Sequence, residues 1–354
     1  MRSYTQLARY GLVSFLLLID TLYQCAIHLI PAMPMLTGGQ VSRPCRQVLA
    51  AAKSIAILGL VLLPAGCSAP AVTDAAPLAS GASGFYPSSS LSSQPVLEVV
   101  ATTTVLADLA ANVGGDLVAV NTLVPAGADV HTFQSTPADS LRISNAGVII
   151  SNGAGLDDFL LPVLESARRP GSVTVVASRG IAAEYLVGDP HFWLDPILAQ
   201  HYVERIRDGL MAADPENSPS YESNAQRYLR QLEELDQEVA ATLSQVPEER
   251  RHLITFHDAY GHFARRYGWR ISSFVASDAS DVTPGAIVSI LKKIKRDGIP
   301  AFFVEPQFSS GLMQQAALDS GVRLGTIRSL VDNQAGTYLA MMRDNAQALA
   351  ANLK

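Results

Sequence analysis

Residues Ser218 to Pro247 read SPSYESNAQRYLRQLEELDQEVAATLSQVP, and the spacing of their apolar side chains decides the architecture. Tyr221, Ala225, Tyr228, Leu232, Leu235, Val239 and Leu243 recur every three or four positions, the period of one helix face, with Leu229 beside them. Acidic and basic residues fill the opposite face. Ser218 and Pro219 suit a helix start, and Pro247 bounds the end. About 26 residues at 1.5 Å each make a rod of ~39 Å. That is long enough to run along two lobes and join them. An ordinary amphipathic helix packed on one lobe is the plainer alternative.

The flanks of this segment alternate short β-rich runs with helical periodicity. Before it, strands are expected at Leu97–Ala101, Val118–Val124, Val148–Ser151 and Val173–Ala177. Helices are expected between them at Val105–Val113, Pro137–Asn145 and Asp157–Arg168. After it, strands are expected at His252–Phe256, Ile271–Ala276, Phe302–Val304 and Arg323–Ile327. Their helices fall at Ala259–Tyr267, Pro284–Arg296, Leu312–Ser320 and Thr337–Leu353. Strands alternating with helices imply parallel sheets, and two such sets imply two lobes. The expected fold class is therefore α/β, two (βα)4-like lobes with mostly parallel sheets joined by one long helix. The boundaries are 97–217 for the first lobe, 218–245 for the joining helix and 246–354 for the second lobe.

Residues 1–66 read as a signal region. Ser54 to Leu63 is short and apolar, Arg43, Arg46 and Lys53 precede it, and Ala65-Gly66 precede Cys67. The apolar run is too short to span a bilayer, which takes ~20 residues. Cysteine directly after Ala-Gly looks like a bacterial lipobox, although Pro64 stands where that pattern usually has Leu. Cys67 is then the lipid anchor, and the protein lies on the extracytoplasmic face of a membrane, in the periplasm or at the cell surface. A plain signal peptide with an incidental cysteine is the alternative. Residues 1–32 read as a misassigned start upstream of Met33 or Met35, with a genuine membrane helix as the other reading. Residues 67–96, rich in Ala, Ser, Pro and Gly, read as a flexible tether.

Of 354 residues, 48% are hydrophobic and 16% charged, with a net charge of −6. That excludes a mostly disordered chain, and the lack of a basic stripe makes nucleic acid an unexpected partner. All three cysteines (Cys25, Cys45, Cys67) precede the main body, so neither disulfides nor a cysteine-built zinc site holds it together. No HExxH, GxSxG, P-loop or GxGxxG motif is present, which favours binding over catalysis.

Three histidines lie in loops beside Pro, Gly or Asp: His131 in VPAGADVHTF, His191 in GDPHFWLDP, and His257 directly after the strand LITF. In open α/β sheets ligands bind beyond the carboxyl ends of the strands, a location that His131 and His257 fit from different lobes. Converging neutral imidazoles suit a borderline cation such as Zn²⁺, each with a partner on its other ring nitrogen. Asp129, Asp189, Asp195 and Asp258 are candidates for that partner. His201, His252 and His262 read as structural, with His201 solvated and His252 at an exposed strand end. Phe192 and Trp193 read as core aromatics.

The segments VVATTTVLADLAANVGG, LVPAGADVHTFQSTPAD, SNGAGLDDFL, DPHFWLDP, ITFHDAYGHFARRYGW, FFVEPQFSS and TYLAMMRDN lie in order along the body. From Val96 to Leu353 the chain resembles the solute-binding lipoproteins of bacterial zinc/manganese ABC importers. The resemblance implies a C-clamp fold and a metal held between the lobes. It also implies delivery to an ABC permease with a cytoplasmic ATPase, by a monomer anchored in the membrane. It places metal ligands on His131, His191 and His257; histidine at the third place resembles the zinc importers, so Zn²⁺ is expected and Mn²⁺ is the alternative. The family's fourth ligand, an Asp, falls here on Arg328, which cannot ligate a cation. Asp332, four residues on, is expected to swing in as the fourth ligand, with Glu305 or a water molecule as the alternatives. The histidine-rich loop of many zinc members is missing from 181–188. A surface adhesion lipoprotein and a receptor for an iron chelate are the alternative functions.

Overall fold

The computed structural model describes residues 96–182, 185, 188–275, 283–308 and 311–354. The signal region, Cys67 and the tether up to residue 95 lie outside the described residues, as does Ala276 of an expected strand.

The first lobe is a parallel sheet of β1 (Leu97–Ala101), β2 (Val118–Thr122), β3 (Val148–Ser151) and β4 (Val173–Val176), in the order β2-β1-β3-β4. Helix α1 (Thr104–Gly114), α2 (Pro137–Asn145), α3 (Leu161–Ala167) and α4 (Pro196–Ala213) pack on it. Thr136 caps α2 in a capping box with Asp139, and Pro137 takes its first turn. The second lobe repeats the scheme. Strands β5 (His252–His257), β6 (Arg270–Val275), β7 (Ala301–Val304) and β8 (Arg323–Thr326) lie in the parallel order β6-β5-β7-β8. Its helices are α6 (Gly261–Tyr267), α7 (Pro284–Asp297), α8 (Gly311–Ser320) and α9 (Tyr338–Leu353).

Between the lobes runs α5 (Ser218–Leu243), 26 residues long. Tyr221, Ala225, Tyr228, Leu232, Leu235, Val239 and Leu243 are buried along it. This stripe packs on α1 and α4 of the first lobe and on α9 of the second, so the helix bridges the two. Among the described residues no helix is long and apolar enough to cross a membrane.

The lobes also meet directly. Trp193 Nε1 donates to the Ser329 carbonyl at 2.6 Å, and Tyr338 Oη donates to the Trp193 carbonyl at 2.6 Å. The Tyr338 backbone N–H reaches Asp108 of α1 at 3.1 Å. Trp193 is thus a core aromatic whose polar end ties the lobes together.

Two histidine expectations need correction. His252 is buried at 2% exposure: β5 is a central strand, and its first residue is roofed by β6 and the end of α7, with Nε2 3.0 Å from Ser272 Oγ. His201 is not simply solvated, because its Nε2 lies 2.8 Å from the Arg179 carbonyl and steadies the turn after β4.

Candidate metal centre

His131 sits in a single turn, Val130–Thr132, beyond the carboxyl end of β2. Asp129 shapes that turn: its carboxylate accepts from the His131 backbone N–H at 3.0 Å and from Thr132 Oγ1 at 3.2 Å. His191 lies between β4 and α4, where Asp189 Oδ1 accepts from its backbone N–H at 3.0 Å and holds its ring Nδ1 at 2.8 Å. His257 ends β5, and its Nδ1 lies 2.8 Å from Oε1 of Glu305, the residue that follows β7. A carboxylate partner makes Nδ1 the donor in both rings and leaves each Nε2 with its lone pair for a ligand.

The three rings converge. Their centroids are 6.1 Å (His131 to His191), 6.0 Å (His131 to His257) and 5.3 Å (His191 to His257) apart. One ring nitrogen from each lies within 4.8 Å of the others. The void between them is about 10 Å³, walled by Val130, Trp193, Phe308 and Leu330 and edged by Gln307 and Ser329. It is the size of one ion or one water. An organic chelate of iron, which needs a cleft of hundreds of Å³, does not fit.

Burial pushes the His191 imidazole below its usual range, against the pull of Asp189, so the ring is neutral and able to ligate. At His257 burial acts in the same sense, but the Glu305 carboxylate outweighs it and the ring holds its proton more tightly. Burial would raise Asp189; the hydrogen bonds it accepts from the ring and the backbone N–H of His191 reverse that, keeping the carboxylate ionised.

Of the candidate orienting acids, Asp189 holds the ring of His191, and Asp129 accepts from the backbone N–H of His131. Asp195 caps α4 through the Ile197 N–H at 2.9 Å, and Asp258 is exposed. Glu305 is not placed as a ligand. Its Oε1 is taken by His257, and its Oε2 accepts from Ser329 Oγ at 2.8 Å and Gln307 Nε2 at 3.1 Å. Asp332 is engaged outside the cluster of three histidines. Its Oδ2 pairs with Arg328 Nε at 2.7 Å, and its Oδ1 accepts the N–H groups of Gln334 at 3.0 Å and Ala335 at 2.8 Å. The guanidinium at the usual aspartate position therefore engages the carboxylate expected to replace it.

The sequence reading did not pick out Gly261 or His262 for this site. Asp189 Oδ2 accepts from the Gly261 N–H at 3.0 Å, and His262 Nε2 lies 2.8 Å from the Asp189 carbonyl. A Cβ at Gly261 would stand 2.6 Å from that carboxylate oxygen. The acid that orients His191 in one lobe thus grips the start of α6 in the other, a contact that no local spacing announces.

A model of the family described as zinc-uptake complex component A, periplasmic, matches residues 99–352. The chain belongs to this family. Among its relatives, the manganese-binding lipoprotein MntA of Halalkalibacterium halodurans is 31% identical over 265 residues, covering 73% of this chain and 88% of the relative. The iron-binding protein YfeA of Yersinia pestis is 28% identical over 267 residues, covering 72% and 85%. Among solved structures, the periplasmic zinc-binding protein TroA of Treponema pallidum superposes with a TM-score of 0.69 at 27% identity, covering 73% of this chain and 99% of that one. The two-lobe α/β fold is that of the zinc-uptake component A family, and its members are transport receptors for metals.

Proposed function

We propose that this chain captures one divalent transition-metal ion, zinc before manganese, on His131, His191 and His257 and passes it to an ABC permease driven by a cytoplasmic ATPase. It does so from the extracytoplasmic face of a membrane, held there by lipid on Cys67. The observation that carries the reading is the convergence of three imidazoles, from two lobes, around a void of about 10 Å³. Two of the rings have their second nitrogen fixed by a carboxylate, as metal-ligating histidines do. Neutral nitrogen donors favour Zn²⁺ over Mn²⁺, which is better matched by carboxylate oxygen. Manganese is the second candidate because a relative 31% identical is named for it. Water fills the fourth position, since Glu305 and Asp332 have both oxygens engaged.

Calorimetric titration of the metal-free chain tests this. One Zn²⁺ per chain is expected, bound more tightly than Mn²⁺, and His191→Ala weakens zinc at least about ten-fold by deleting one of three ligands. Unchanged affinity in that variant overturns the ligand assignment.

A further inference from the structure

The second lobe carries a surface that metal capture does not use. Three of the chain's five lysines fall within four residues of α7, as Lys292, Lys293 and Lys295, followed by Arg296. Lys293 turns inward to Ser272 Oγ at 2.6 Å, and Arg296 pairs with Asp297 at 2.7 Å. Lys292 and Lys295 are exposed and committed to no ion pair among the described residues. They border a groove of about 590 Å³ between α7 and α8, together with Val288, Leu291 and Val322. Val288 is 52% exposed, and on α8 Leu318 is 76% exposed and Leu312 53%. The acid in the groove, Asp319, accepts from Gln315 Nε2 at 2.7 Å.

We infer that this face docks on an anionic lipid surface. The pattern is that of an interfacial helix, with aliphatic side chains between lysines whose long stems let the ammonium groups reach headgroups. Protein interfaces are instead depleted of lysine and enriched in aromatic residues and arginine, and among the described residues no aromatic side chain lines this groove. The charge is complementary to an anionic bilayer, although the whole chain, at −6, is not. The helix therefore sets an orientation as well as an affinity.

Topology gives that orientation. Both helices run back from the carboxyl ends of their strands towards the amino ends, so Lys292, Lys295 and Leu318 lie at the end of the lobe away from the three histidines. Docked on this face, the chain holds its metal cleft towards the surrounding solution. It must leave the surface to present the cleft to a membrane partner, which suits a weak, reversible contact.

Binding of the full chain to vesicles tests the inference. Neutral phosphatidylcholine vesicles are compared with vesicles that include anionic phosphatidylglycerol, using wild type, Lys292→Gln/Lys295→Gln and Leu318→Ser. At about five-fold per lysine near an anionic surface, the double variant is expected to lose roughly ten-fold or more of the wild type's preference for anionic vesicles. Leu318→Ser lowers binding to both kinds. Equal preference in wild type and double variant overturns the inference, since the basic N-terminal region then accounts for it. No preference in the wild type overturns it too, and leaves an acidic protein as the occupant. Circular dichroism and zinc stoichiometry, expected unchanged, show that the variants fold. A wild type that binds no zinc defeats the metal reading without touching the vesicle result.

Discussion

Glu305 shows how one buried carboxylate sets up a ligand without being one. It is 1% exposed, holds His257 through one oxygen and is held by Ser329 and Gln307 through the other. Glu305→Ala is expected to weaken zinc binding about 10–100-fold by calorimetry while leaving all three imidazoles in place. Its position after a strand was legible in the sequence; whether it faced a metal or a histidine was not, because that depends on the loop carrying Ser329, contributed from beyond β8. The same limit applies to His252. Burial, then Lys293 and Arg270, lower its pKa to about 4. The unfolded chain therefore binds the proton more readily, and stability present above pH 6.5 is lost as the pH falls towards 4. Denaturant midpoints across that range should fall more steeply in wild type than in His252→Gln.

At the level of elements, α5 was the most legible part because its burial follows a period fixed by helix geometry alone. Every position expected on its apolar face is buried except Leu229, which is partly so. Leu235, fully buried in the middle of the stripe, should cost about 2–5 kcal/mol in urea denaturation when changed to Ala. The strands were legible for a different reason, as short apolar runs between turn residues, and their ends shifted by a residue or two where capping geometry decides. The expected helix over 157–168 splits into a tight turn at Asp158–Leu160 and the shorter α3. Pro162, in the first turn of α3, has no N–H to bond back to Asp158, so one continuous helix cannot form, and Asp157 is held outside it, its carboxylate accepting from Thr102 Oγ1 at 2.6 Å and from the N–H groups of Asn152 at 2.6 Å and Gly153 at 2.8 Å. Those are long-range and loop contacts that compete with helix formation.

Over the whole molecule, the three histidines come from both lobes, so binding an ion and holding the lobes together are one equilibrium. Zinc at 100 times its dissociation constant should add about 2.7 kcal/mol of stability, visible as a raised thermal midpoint that His191→Ala lacks. Gly261→Ala probes the link between lobes. The added methyl group forces Asp189 off α6, and because Asp189 also orients His191, zinc affinity should drop without any ligand being changed. Zinc K-edge X-ray absorption on the loaded full chain reaches the central claim most directly. Three imidazole nitrogens at about 2.0–2.1 Å with one further oxygen are the expected shell; a sulfur shell from the N-terminal cysteines, or fewer than three imidazoles, would contradict it.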